Sequence, residues 1–286
     1  MHKHMKGAAL IAAAMLALAA CSSEPADSSP AAEPGDFPAG STMAALAEAG
    51  TITIGTKFDQ PLFGLKAPSG NPEGFDVEIG KIIADELGIS PDNIKWVETV
   101  SANREAYIAD GTVDIVIATY TINDERKEKV SFAGPYYNAG QALMVLSDNT
   151  DITGPDDLAG KNVCSVEGST PAANIAENYP DATLKLFEAY TDCLEPLRNG
   201  QVDVLTTDNV ILAGYVATSE GEFKVVGEPF TEEPYGIGLA KDDTDFRMWI
   251  NDVLEATFED GRWLDAWNAT AGAVLPEPTP PTVDRY

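Results

Sequence analysis

Two hydrophobic rhythms alternate along the chain. Short apolar runs rich in β-branched residues occur at 51–55, 94–98, 113–118, 141–146, 162–166, 184–187, 202–206 and 235–239. Their length, composition and flanking turn residues are those of buried strands. Between them lie stretches with apolar residues at helical spacing. In 75–87, Ile79, Ile82, Ile83 and Leu87 share one face. Further helices are expected at 102–110, 170–178, 192–199, 210–217, 245–258 and 261–268. Repeated strand–helix units predict an α/β fold with mostly parallel sheets flanked by helices. The alternation breaks after residue 118 and restarts beyond the apolar run 141–146, which predicts two lobes.

The two ends depart from this pattern. Lys3 and Lys6 precede an Ala-rich apolar run over 7–20, too short for a transmembrane helix, so 1–20 reads as an export signal. The run ends Leu18-Ala19-Ala20-Cys21, which resembles the lipobox of bacterial lipoproteins. On that resemblance Cys21 carries the lipid and anchors the chain to the outer face of the cell membrane, the periplasmic side if a second membrane exists. The alternative is an ordinary signal peptide with an incidental cysteine. Residues 21–41 are rich in Pro, Ala, Ser and acidic residues. They read as a disordered tether with a root-mean-square reach of about 25 Å. Residues 276–286 form a Pro-rich polar tail, also expected to be disordered.

Composition narrows the functional classes. The chain has 286 residues, 44% of them hydrophobic, and a formal charge of −28. Such a field disfavours nucleic acid and anionic membrane surfaces, leaving the lipid as the membrane contact. The histidines are His2 and His4, both inside the signal, so the processed chain has none. Ser-His-Asp and Cys-His catalysis and histidine metal sites are thereby excluded, and no cofactor or metal is expected. Cys164 and Cys193 remain. In an oxidising compartment a disulfide between them is the default, the alternative being two unpaired buried thiols. Closing a loop of about 30 residues would stabilise the fold by about 3 to 4 kcal/mol.

The densest chemistry lies in Ala118-Thr119-Tyr120-Thr121-Ile122-Asn123-Asp124-Glu125-Arg126. A strand runs out into hydroxyl residues, and an arginine opens a charged helical stretch. Backbone N–H groups, hydroxyls and a guanidinium at the carboxyl end of a strand suit a carboxylate. The competing account of Arg126 is a solvated helix residue in a segment where Glu125 and Lys129 pair at i,i+4. Gly168-Ser169-Thr170 precedes a helix, as does Asp208, so all three positions also suit simple N-capping.

Gly74-Phe75-Asp76-Val77-Glu78-Ile79-Gly80-Lys81-Ile82-Ile83-Ala84-Asp85-Glu86-Leu87 resembles the signature of the family 3 extracellular solute-binding proteins, the polar amino-acid receptors of ABC importers. Thr121 to Arg126 with Phe132-Ala133-Gly134-Pro135-Tyr136-Tyr137, and Leu158-Ala159-Gly160-Lys161 with Gly168-Ser169-Thr170, resemble further blocks of that family. Several motifs in order are more specific than any one. The resemblance implies a two-lobe, type II periplasmic-binding-protein-like fold. Lobe 1 would comprise 42–138 plus 234–275, and lobe 2 would comprise 139–233. It implies that Arg126 takes the ligand α-carboxylate and that Asp208 accepts from its ammonium. Thr119, Thr121, Ser169 and Thr170 would add hydroxyl and backbone contacts, although Thr119 also fits a simple turn. Lys57 and Arg104 resemble basic positions that hold a side-chain carboxylate, which points to glutamate or aspartate. The loop at Lys57 is one residue shorter than the family pattern. Phe58, Phe63 and Tyr120 could wall the pocket, although core packing explains the phenylalanines equally well.

The expected function is capture of a free acidic amino acid by a monomeric lipoprotein that hands it to the permease of an ABC importer. A glutamine or asparagine receptor is the nearest alternative. A dehydratase-like enzyme on the same fold would need an acid or base other than histidine, and a receptor-kinase sensor domain would need a following transmembrane helix.

Overall fold

The structure is a computed structural model that describes residues 37–286. The export signal, Cys21, both histidines and most of the tether lie outside the described residues. The first described helix, Thr42–Ala49, was not expected from periodicity. Ser41 Oγ accepts from Ala44 N at 3.2 Å to cap it, and Met43 and Leu46 are buried beneath it.

The strands are β1 (Ile52–Thr56), β2 (Asp59–Gln60), β3 (Gly64–Lys66), β4 (Pro72–Glu73), β5 (Ile94–Glu98), β6 (Ile115–Val116), β7 (Ser131–Ala139), β8 (Gln141–Leu146), β9 (Asn162–Val166), β10 (Thr183–Phe187), β11 (Val204–Asp208), β12 (Phe223–Val226) and β13 (Glu233–Leu239). They form two five-stranded sheets, ordered β5-β1-β6-β13-β7 and β10-β9-β11-β8-β12, and a small sheet β2-β3-β4. The α/β two-lobe expectation holds, but each large sheet is mixed rather than mostly parallel. In the first, β5, β1 and β6 run parallel while β13 is antiparallel to β6 and β7. In the second, β10, β9 and β11 run parallel while β8 is antiparallel to β11 and β12. The reason is the crossing. The chain leaves the first sheet along β7, begins the second with β8 and returns along β13, so these strands are not set by strand–helix–strand crossovers.

The two crossings pack on each other. Gln141 N donates to Thr231 Oγ1 at 3.0 Å, and Phe230 N to Gln141 O at 2.9 Å. Gly140 sits between them, where a Cβ would lie 2.6 Å from Thr231 O.

One large buried cluster runs through both lobes, and the second sheet adds a smaller one. The first buries Phe63, Phe75, Tyr136, Tyr235, Trp263 and Trp267, with Phe75 and Trp267 edge to face at 5.3 Å. Phe63 is therefore core and not pocket wall. The second buries Leu143, Val145, Val163, Ile175 and Val204. Cys164 in β9 and Cys193 are joined by a disulfide, with Cα atoms 5.9 Å apart. It ties β9, the neighbour of the central strand β11, to the turn that starts the Leu194–Arg198 helix.

The tail 276–286 corrects an expectation of disorder. Val283 is buried, Asp284 N donates to Gly134 O at 2.7 Å and Phe132 N to Tyr286 Oη at 2.8 Å. Arg247 and Lys127 both lie over the Tyr286 ring. The tail contains no helix or strand, but it lies along the edge strand β7 and satisfies two of its backbone groups.

Candidate ligand-binding cleft

Three basic side chains singled out from sequence meet on the wall built by the first sheet. Lys57 follows β1 and is buried, with Nζ donating to Ser101 Oγ at 2.9 Å. Burial, then the neighbouring Arg104 cation, pulls its pKa down to about 7. Arg104 opens the Arg104–Ala109 helix. Its Nε donates to Ser101 O at 3.3 Å and Nη1 to Ala118 O at 3.2 Å. Its guanidinium lies 4.2 Å from the Tyr120 ring centroid. Burial, then Arg126, lowers its pKa to about 10.

The charged segment after Tyr120 divides its duties. Glu125 and Lys129 pair at 3.1 Å on the surface, as helical spacing suggested. Arg126 instead turns inward and is only 6% exposed. Asn123 caps the Asp124–Lys127 helix by accepting from Arg126 N. The guanidinium then donates from Nη1 to Thr121 O at 2.8 Å, with Nε 3.4 Å from Glu105 Oε1.

The opposite wall comes from the second sheet. Ser169 is the N-cap of the Thr170–Asn178 helix, accepting from Ala172 N at 3.1 Å. Thr170 does not cap; its hydroxyl donates to Glu233 Oε2 at 2.6 Å. Asp208 precedes the Asn209–Thr218 helix but makes no side-chain cap bond. Its Oδ2 accepts from Tyr235 Oη at 2.6 Å, and its Oδ1 has no partner among the described residues. Burial, then nearby Glu233, pushes its pKa up to about 8.

Thr119 joins the two readings given for it. It lies at a turn with φ +44 and it also lines the cavity. Its N donates to Asp76 Oδ2 at 2.7 Å, and its hydroxyl lies 3.1 Å from Gln60 Oε1. Asp76 also accepts from Tyr136 Oη at 2.7 Å, and burial raises its pKa to about 7. Sequence reasoning passed over Asp76, Gln60, Tyr190 and Glu233. Asp76 carried one usable signal: an acid between Phe75 and Val77 on a face that must be buried.

The walls touch. The inner cavity, lined by Arg104, Thr119, Thr121, Ser169, Thr170 and Asp208 among others, holds about 10 Å³. That is room for a single water, so a larger ligand requires the lobes to part. Arg126 faces an outer cavity of about 370 Å³ that shares Ser101, Ser169 and Thr170 with the inner one. Lys57 lies behind Ser101, outside both linings. Arg126 Nη2 donates across the cleft to Gly168 O at 2.9 Å, and Arg104 Nη2 reaches the same oxygen at 3.4 Å. Gly168 has φ +74, and a Cβ there would lie 2.8 Å from Ala102 Cα. On the far side, Asp59 Oδ2 accepts from Tyr190 N at 2.9 Å and Asp59 O from Tyr215 Oη at 2.9 Å.

A model of the bacterial extracellular solute-binding proteins, family 3, matches residues 52–268. The chain belongs to this family. It is 43% identical over 259 residues to the glutamate-binding protein GluB of Corynebacterium efficiens, covering 86% of this chain and 88% of that one. It is 38% identical over 252 residues to the ABC transporter glutamine-binding protein GlnH of Bacillus subtilis, covering 87% and 90%. Among solved structures, the solute receptor for L-cysteine of Neisseria gonorrhoeae superposes with a TM-score of 0.78 at 32% identity, covering 83% and 96%. These family 3 relatives are binding proteins, not enzymes, and this chain is read as a binding protein too.

Proposed function

We propose that the protein is the amino-acid receptor of an ABC importer, exported, anchored through lipid on Cys21, and selective for glutamate. It binds a free amino acid between the lobes and delivers it to a permease. Arg126 and the single backbone N–H of Thr170 take the α-carboxylate, and Asp208 takes the ammonium. Arg104, with Lys57 behind it, meets the side-chain carboxylate. The observation that carries this reading is two buried guanidiniums, Arg104 and Arg126, with the Lys57 amine behind them, facing a wall that offers Asp208 with one oxygen unpartnered among the described residues. Buried charge without a counter-charge is costly, so that arrangement favours a ligand with two carboxylates and one ammonium.

Glutamine is the second reading, favoured by the likeness to GlnH and by the depressed pKa of Lys57, which leaves that amine partly neutral near pH 7. A thermal-shift screen of the twenty amino acids, followed by calorimetry, separates the two. Glutamate should give the largest shift. A larger shift with glutamine would reverse the assignment, and none with any amino acid would sink it. Mass spectrometry of the membrane fraction reads acylation at Cys21.

A further inference from the structure

Glu233 lies at the start of β13, on the return crossing between the lobes, and is 3% exposed. It has no cationic partner among the described residues. Hydroxyls satisfy it instead. Oε2 accepts from Thr121 Oγ1 and from Thr170 Oγ1, both at 2.6 Å, and Oε1 accepts from Thr231 Oγ1 at 2.9 Å. Thr121 belongs to one lobe, Thr170 to the other, and Thr231 to the crossing itself. Each hydroxyl has one proton. With those of Thr121 and Thr170 given to Glu233, the 3.3 Å contact between the two hydroxyls is not a second donation. Both then present only lone pairs to the cavity they line.

We propose that Glu233 is a positioning residue for the binding site: it holds the Thr121 and Thr170 hydroxyls together across the closed cleft and fixes both as acceptors toward the ligand. This deepens the receptor reading and rests on it. Two consequences follow from the geometry. Opening the cleft moves Thr170 away from Thr121, so one oxygen of Glu233 cannot keep both bonds, and closure restores them. An acceptor pair beside Asp208 favours the ammonium end of an amino acid and leaves the carboxylate to Arg126 and to backbone N–H groups. Glutamine at this position would offer an N–H₂ group to one hydroxyl and reverse its polarity.

The test uses the full processed chain with glutamate as the probe, and glutamine in parallel. Glu233→Gln should weaken binding about tenfold, with the ligand-free melting temperature within about 3 °C of the parent. Thr170→Val should weaken it by a similar factor. The double variant should lose far less than the product of the two, because both act on one bond. Unchanged affinity in Glu233→Gln, or losses that multiply in full, overturns the proposal. If Glu233→Gln does not fold, Thr231→Val removes one donor to Glu233 outside the cleft; a twofold to fourfold loss supports the proposal and unchanged affinity overturns it. The receptor reading is judged separately, by whether the unaltered protein binds any amino acid.

Discussion

The two walls of the cleft are built on different principles. The first-sheet wall is basic and braced from within: Arg104 is held by Ser101 and Ala118 carbonyls, Lys57 by Ser101 Oγ, and Arg126 by Thr121 O. The second-sheet wall offers two helix N-termini and a carboxylate with one oxygen unpartnered among the described residues. The bracing bonds lie within the first lobe, and the two guanidiniums meet the other wall at Gly168 O. A ligand that docks by its carboxylates on the first wall would draw the second one in, which is the economical order for a hinge receptor.

Removing the braced charge should have the largest effect. Arg126→Ala is expected to cost about 100-fold to 1,000-fold in amino-acid affinity, the range for stripping one partner from a buried ion pair. Calorimetry reads this directly, and unchanged affinity would remove Arg126 from the site.

The second wall gives a prediction with two signs. Asp208→Asn should weaken binding about 30-fold while making the ligand-free protein more stable at pH 8. Its carboxyl has a folded pKa of about 8, above the usual 3.8. A raised carboxyl favours folding at low pH and loses that advantage as pH climbs through the folded pKa. Asparagine does not titrate, so its melting temperature should gain on the parent by about 10 °C between pH 5 and pH 8. A variant that gains nothing would mean the carboxylate is not desolvated in solution.

Specificity should respond less. Arg104→Ala is expected to lower glutamate affinity about tenfold and glutamine affinity about threefold or less. Equal losses would show that Arg104 supports the fold of the wall and not the choice of side chain.

The smallest effect concerns Lys57. A ligand carboxylate would raise its pKa from about 7, so glutamate binding should take up a proton above that pH. The ratio of glutamate to glutamine affinity should fall about threefold from pH 7 to pH 8.5. Taking the ratio cancels the opposite contribution of Asp208. Lys57→Met should flatten it, and a flat ratio in the parent would place Lys57 outside ligand recognition.

Local pattern disclosed most of the fold. The strands at 94–98, 141–146 and 162–166 and the helix at 170–178 match their expected bounds, because strand and helix spacing are written in neighbouring residues. β7 was not read as a strand, since Gly134-Pro135 interrupts its apolar run; an edge position tolerates that proline. The tail was misjudged because its contacts, such as Phe132 with Tyr286, span 154 residues and leave no period. The same limit applies at the cleft. Arg104, Arg126, Thr170 and Asp208 are visible as residue types at strand ends and helix starts. Glu233 sits in Thr-Glu-Glu-Pro, which reads as solvated loop, and only partners 112 and 63 residues away mark it out.

Gly168 carries a consequence for measurement. Its missing side chain lets one carbonyl sit under both Arg104 and Arg126 while the backbone rests on Ala102. A methyl group there would act as a doorstop, keeping the jaws apart without touching a single charged group. Affinity measured on such a protein would report the grip of one jaw alone, and the shortfall from the parent would be the worth of the bite.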